Sequence, residues 1–217
     1  MSLGLLGGTF NPIHYGHLRA AEEVRLRLAL GGIVFVPAGS PPLKEAELAS
    51  AADRYEMVRL AIMGNPSFGI SDVESSREGK SYTVDTIEAL TGRHAGERLS
   101  FILGVDAFID LPHWKDPERL VSMTDFVVIS RPGFPFARLR GSSLVHLDKA
   151  VLNSMDRQEI DRHDAKLPGG RTVTLLAIDS LDISATKIRR LIRDGAGARY
   201  LLPENVESFI MSKGLYK

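Results

Sequence analysis

Two stretches of this chain are rich in groups that donate to phosphate oxygens. Near the start, Gly7-Gly8-Thr9-Phe10-Asn11-Pro12-Ile13-His14-Tyr15-Gly16-His17 places two imidazoles around a glycine. Near the end, Ile183-Ser184-Ala185-Thr186-Lys187-Ile188-Arg189 places two hydroxyls ahead of a guanidinium. Imidazole N–H groups and guanidinium forks bind phosphate oxygens and stabilise the charge that builds on them during transfer. An ordinary strand-to-helix turn explains Gly7-Gly8 alone, but it does not call for His14 and His17 directly behind it. These residue types suit the binding and cleavage of a polyphosphate.

Such chemistry requires local structure that aims the donors. Leu3-Gly4-Leu5-Leu6 reads as a buried parallel strand. Gly7 and Gly8 then let the backbone turn steeply and come close to a ligand. His17, Ala21, Val24 and Leu28 fall on one helical face, so a helix follows with His17 on its first turn. The unpaired N–H groups of that helix start form an anion site, and His14 can face the same spot. In the second stretch Ser184 reads as the N-cap of a helix running to about Arg193 and closed by Gly195. Thr186 and Arg189 share one face of it, Ile188, Leu191 and Ile192 take the core side, and Lys187, Arg190 and Arg193 fit a solvated face.

Strands and helices alternate along the rest of the chain. Strands are expected at 33–36, 68–73, 99–103, 126–130 and 173–178. Helices are expected after Ser50, over Thr83–Leu90, from Asp116-Pro117, and from Pro203 to about Lys213. The pattern predicts an α/β fold: a Rossmann-like, doubly wound, mostly parallel sheet with helices on both faces. It forms a single domain over 1–217 and ends in two helices. Ligands of such sheets sit beyond the carboxyl ends of the strands. Gly7-Gly8, the 37–44 loop, Gly104-Val105-Asp106 and Arg131-Pro132-Gly133 all follow predicted strands there. The 134–170 stretch, rich in Arg and Asp, reads as a surface elaboration.

Composition excludes several classes. Lys plus Arg and Asp plus Glu both number 27, so no bulk field draws nucleic acid or an anionic membrane. Without cysteine there is no disulfide, thiolate nucleophile or cysteine-bound zinc. No run approaches membrane-spanning length and no signal-peptide pattern is seen, so a cytoplasmic protein without membrane partners is expected. The sequence leaves homo-oligomer formation open.

The two stretches resemble the paired signatures of the HxGH nucleotidyltransferases, the second of which reads ISxTxxR. Within that superfamily the chain is similar to bacterial nicotinate-nucleotide adenylyltransferases almost end to end. The likeness passes through 37–44, Ser81-Tyr82-Thr83-Val84-Asp85-Thr86, Gly104-Val105-Asp106, Trp114, Arg131-Pro132-Gly133 and Gly214-Leu215-Tyr216. The resemblance implies adenylyl transfer from ATP to nicotinate mononucleotide, with Mg²⁺ carried on the ATP phosphates and no metal held by the protein. It implies ATP contacts from Gly7, Gly8, Thr9, Phe10, His14, His17, Gly104, Asp106, Arg131, Ser184, Thr186 and Arg189. The nicotinate nucleotide would meet Thr9, Lys44, Tyr82, Thr83 and Asp106, with Trp114 stacking on the pyridine ring. Catalysis would fall to His14, His17, Lys44 and Arg189. Where the family commonly has histidine this chain has Leu43, so only Lys44 carries over from that pair. His94, His113, His146 and His163 are left as surface or structural residues. The rival readings are an enzyme of the same fold using the amide mononucleotide, phosphopantetheine or a cytidylyl acceptor; a non-catalytic nucleotide sensor; and a nucleic-acid-binding domain.

Overall fold

The computed structural model describes residues 2–41 and 48–217. Its strands are β1 (Ser2–Gly8), β2 (Gly32–Pro37), β3 (Phe68–Ile70), β4 (Arg98–Gly104), β5 (Asp125–Ile129), β6 (Arg162–Lys166) and β7 (Thr172–Leu176). Among the described residues they make one sheet in the order β3-β2-β1-β4-β5-β7-β6, parallel except where β6 pairs with β7. The helices are α1 (Tyr15–Arg27), α2 (Ala51–Ile62), α3 (Thr83–Arg93), α4 (Val105–Asp110), α5 (Pro117–Met123), α6 (Lys149–Asp156), α7 (Ala185–Arg193) and α8 (Glu204–Lys213).

Alternation along each strand splits the core in two. Leu99, Phe101 and Leu103 of β4 face one side, with Val84 and Ile87 of α3, Phe108 of α4 and Leu120 of α5. Ile102 faces the other, with Val24 of α1, Met57 of α2, Ile188 of α7 and Ile210 of α8. Helices therefore cover both faces, as a buried parallel sheet requires. The order runs from β1 to β2 and β3 on one side and from β1 to β4 and β5 on the other. Their divergence opens a crevice at the carboxyl ends of β1 and β4.

The expected elements are present with shifted ends. β1 continues through Gly7 and Gly8, which pair with Val36 and Pro37, and the third strand stops at Ile70. α4 starts at Val105 with no connecting loop, and Leu111–His113 form a 3₁₀ turn ahead of Trp114. The 134–170 stretch, expected as a surface elaboration, sends apolar side chains into the core. Phe136, Leu139, Val145, Leu152, Met155 and Leu167 are buried beside α3 to α5. The stretch ends in β6, an edge strand whose exposed Arg162, Asp164 and Lys166 guard the open side of the sheet.

Candidate active site

The first signature folds as a tight wrap from β1 into α1. Phe10 is 3% exposed and takes a left-handed φ of 48°, unusual for a residue with a side chain. His14 is the N-cap residue of α1, and its main-chain N–H donates to Nδ1 of His17 at 3.3 Å. That contact makes Nδ1 an acceptor, so in the neutral ring the proton sits on Nε2, which is left to donate. The two imidazoles stack with centroids 3.8 Å apart, and the Phe10 ring meets His17 edge-on at 5.1 Å. Gly16 makes room for this: a Cβ there would lie 3.0 Å from the His14 ring. Burial pushes His14 down to about 4. Burial, then the nearby His14, then the Arg131 guanidinium hold His17 well below the ordinary imidazole range. Both rings are therefore neutral donors at pH 7.

The second signature docks directly on the first. Arg189 Nη1 donates to the Asn11 carbonyl at 2.8 Å and Nη2 reaches Thr186 Oγ1 at 3.4 Å. Ser184 caps α7, its hydroxyl accepting from Lys187 N–H at 3.2 Å, so the remaining N–H groups of the first turn face outward for an anion. Two polar groups that sequence patterns did not single out steer the approach to α7. Buried Glu23 of α1 accepts the Asp179 N–H at 3.1 Å, and Ser180 Oγ donates to the Ser130 carbonyl at 2.9 Å.

Arg131 and Asp106 close the crevice from the β4 and β5 side. Their side chains form an ion pair, and the guanidinium lies 5.1 Å from the Phe134 ring. The other carboxylate oxygen of Asp106, Oδ1, is buried with no hydrogen-bond partner among the described residues. It folds back over Gly104, where a Cβ would stand only 2.6 Å from it.

On the far side Tyr82 caps α3 and Thr83 begins it. Lys115 Nζ sits 4.8 Å from the Tyr82 ring centre and pairs with Asp85 at 3.0 Å, which brings the α3 start beside the turn carrying Trp114. Trp114 is half-buried, and its Nε1–H donates to Asp110 Oδ2 at 3.2 Å. Ser81 Oγ accepts the Gly39 and Ser40 N–H groups at 3.1 and 3.2 Å, tying the loop after β2 to α3. Lys44 lies outside the described residues. His94 and His113 pair with Glu97 and Asp110, away from the paired imidazoles. Among the described residues no cluster of three or more His, Cys, Asp or Glu is placed to hold a metal, and no helix is long and apolar enough to cross a membrane.

Sequence reasoning also passed over Asn11, Arg54 and Tyr216. Asn11 Oδ1 accepts from Tyr216 Oη–H at 2.7 Å and from Ala49 N–H at 3.1 Å, so the loop after β1 is fastened from both sides. An asparagine inside a Pro-containing turn signals only the turn itself.

The Cytidylyltransferase-like family model matches residues 5–191. A probable nicotinate-nucleotide adenylyltransferase of Syntrophotalea carbinolica is 44% identical, covering all of this chain and 98% of that protein. One of Geotalea uraniireducens is 42% identical over the same shares of both. The structure of Plasmodium falciparum nicotinic acid mononucleotide adenylyltransferase complexed with NaAD superposes with a TM-score of 0.71 at 20% identity, over 99% of this chain and 97% of that one. The chain belongs to the cytidylyltransferase-like family and, within it, to the nicotinate-nucleotide adenylyltransferases.

Proposed function

We infer that this member of the nicotinate-nucleotide adenylyltransferases moves the adenylyl group of ATP onto nicotinate mononucleotide in the cytoplasm, forming nicotinate adenine dinucleotide and pyrophosphate for NAD biosynthesis. The observation that carries the site assignment is the Arg189 contact with the Asn11 carbonyl, which supports both signatures serving one polyphosphate at the end of β1. A phosphate oxygen of the mononucleotide attacks the α-phosphorus of ATP in line. The new P–O bond forms as the bond to the β-phosphate bridging oxygen breaks, and its electrons leave with pyrophosphate. The attacking phosphate is already anionic, so no general base is required.

Catalysis then rests on position and on donors aimed at developing charge. His14 and His17 act as neutral hydrogen-bond donors to the phosphates, with His17 offering Nε2–H. Arg189, Thr186 and the α7 N-terminus hold the β- and γ-phosphates, and Gly7, Gly8, Thr9 and Phe10 supply main chain beside them. Asp106 Oδ1 takes a ribose hydroxyl, and Gly104 and Arg131 border the nucleotide. Tyr82 and Thr83 present N–H groups of α3 to the nicotinate carboxylate, Trp114 stacks on the ring, and Lys44 adds charge over the phosphates.

Neutral imidazoles, guanidiniums and a carboxylate already paired with Arg131 are poor partners for a bare cation. The donor set fits Mg²⁺ that arrives with phosphate and water ligands, neutralising phosphate charge. Pyrophosphate release from ATP, measured with nicotinate mononucleotide, nicotinamide mononucleotide or no acceptor, tests the reading. Faster release with the acid than with the amide is expected. ATP binding without release would make the chain a nucleotide sensor and overturn it.

A further inference from the structure

Among the described residues, the largest fully buried side chain is Arg54, at the start of α2. A guanidinium keeps its charge when buried, so it persists inside only where acceptors meet its N–H groups. Arg54 uses all three nitrogens on main-chain carbonyls: Nε on Ala49 at 3.1 Å, Nη1 on Thr9 at 2.9 Å and Nη2 on Gly39 at 2.9 Å. These oxygens belong to three separate segments: the approach to α2, the loop after β1 and the loop after β2.

We propose that Arg54 is a positioning residue for the adenylyl transfer inferred above, on which this assignment rests, and that it acts through Thr9 and Phe10 on the His17 ring. The carbonyl and N–H of a trans peptide point in opposite directions. Drawing the Thr9 carbonyl onto Arg54 therefore turns the Phe10 N–H away from it. The next residue is Phe10 itself, whose left-handed backbone persists only where its surroundings impose it. Arg54 imposes it from one side, and Arg189 and Tyr216, both on Asn11, from the other. The Phe10 ring in turn stands edge-on to His17. A buried charge that touches no substrate thus sets the angle of the catalytic imidazole. With Thr9 and Asn11 carbonyls both occupied by guanidiniums, their negative ends are also kept from the entering phosphates.

Lysine keeps the charge but cannot span three carbonyls with one nitrogen, so Arg54→Lys isolates the fork geometry. The variant should melt cooperatively and bind nicotinate mononucleotide within about twofold of wild type by calorimetry. Its kcat should fall about tenfold to a hundredfold and its KM for ATP rise, the scale of a small misplacement of catalytic groups. In a His17→Ala background the same change should cost less than about twofold more, because its route runs through the lost ring. A folded Arg54→Lys with wild-type kcat and KM for ATP overturns the proposal. So does a loss that only tracks the folded fraction, or full additivity with His17→Ala. Should Arg54→Lys not fold at 25 °C, Arg54→Met and Arg54→Gln are read by the same cycle, and failure of all three to fold assigns Arg54 to stability and overturns the positioning role. Absence of turnover dependent on nicotinate mononucleotide in the wild type would instead overturn the activity itself.

Discussion

The two halves of the crevice are built in opposite ways. The phosphate half is built around buried Phe10, Asn11 and His14 and fastened by partners far away in sequence: Arg54, Arg189 and Tyr216 reach Thr9 and Asn11 across 45, 178 and 205 positions. The pyridine half, around Tyr82 and Trp114, rests on water-facing pairs, Lys115 with Asp85 and Trp114 with Asp110, the latter only four positions apart. On the proposed assignment, donors that meet charge in the transition state are held by long-range contacts, whereas the groups that recognise the acceptor sit on local, solvated supports. We therefore expect the phosphate half to be rigid and the pyridine half pliable.

Four measurements test that contrast. Replacing His17 with alanine should lower kcat by about a hundredfold to a thousandfold, as for loss of an oxyanion donor, with the KM for the mononucleotide little changed. Near-normal turnover would break the assignment of the rigid half. Trp114→Ala should instead raise the KM for the mononucleotide by roughly tenfold or more while kcat holds, because stacking binds ground and transition states alike. A matching fall in kcat would show the pliable half to be part of the chemistry.

The third measurement is stability against pH. His14 is held at about 4 when folded, against 6.5 for an ordinary imidazole. Between those values the unfolded chain binds the extra proton, so stability is full above pH 6.5 and is lost as pH falls towards 4. The loss should be on the order of 2 kcal/mol at pH 5 by linkage, and His14→Gln should flatten that part of the denaturation profile. Unchanged slopes would mean the ring is hydrated rather than buried. The smallest effect is expected from Tyr216→Phe, which removes one donor from Asn11. It should cost about 1 kcal/mol of stability in chemical denaturation and raise the KM for ATP a few-fold.

How much of this was readable in the residues follows the same division. The helix starts at Ser50 and Ser184 were legible from capping chemistry, and those near His17 and Thr83 to within a residue or two from local apolar periodicity. The doubly wound, mostly parallel sheet followed from the alternation of apolar runs and helical patterns, whereas the strand order did not. Arg54 was not legible, since a single arginine in a helix reads as solvated and its carbonyl partners depend on three loops meeting. Glu23 was missed for the same reason: it sits in a charged helical run, and only folding brings the Asp179 N–H onto it. The buried side chains of 134–170 were hard to read because its Arg and Asp content masks the spaced apolar residues that enter the core. β6, with its exposed and charged alternation, carries almost no strand signal.

The Arg189–Asn11 contact closes 178 residues of chain. A fragment that starts after Asn11 or stops before Arg189 lacks one of the partners, so on the proposed assignment nucleotide should recognise only a chain that holds both ends. Mass action then makes ATP a chaperone for the whole chain: at a hundred times its dissociation constant it should add about 2.7 kcal/mol to global unfolding, protecting amides in β4 and β5 as well as those at the crevice.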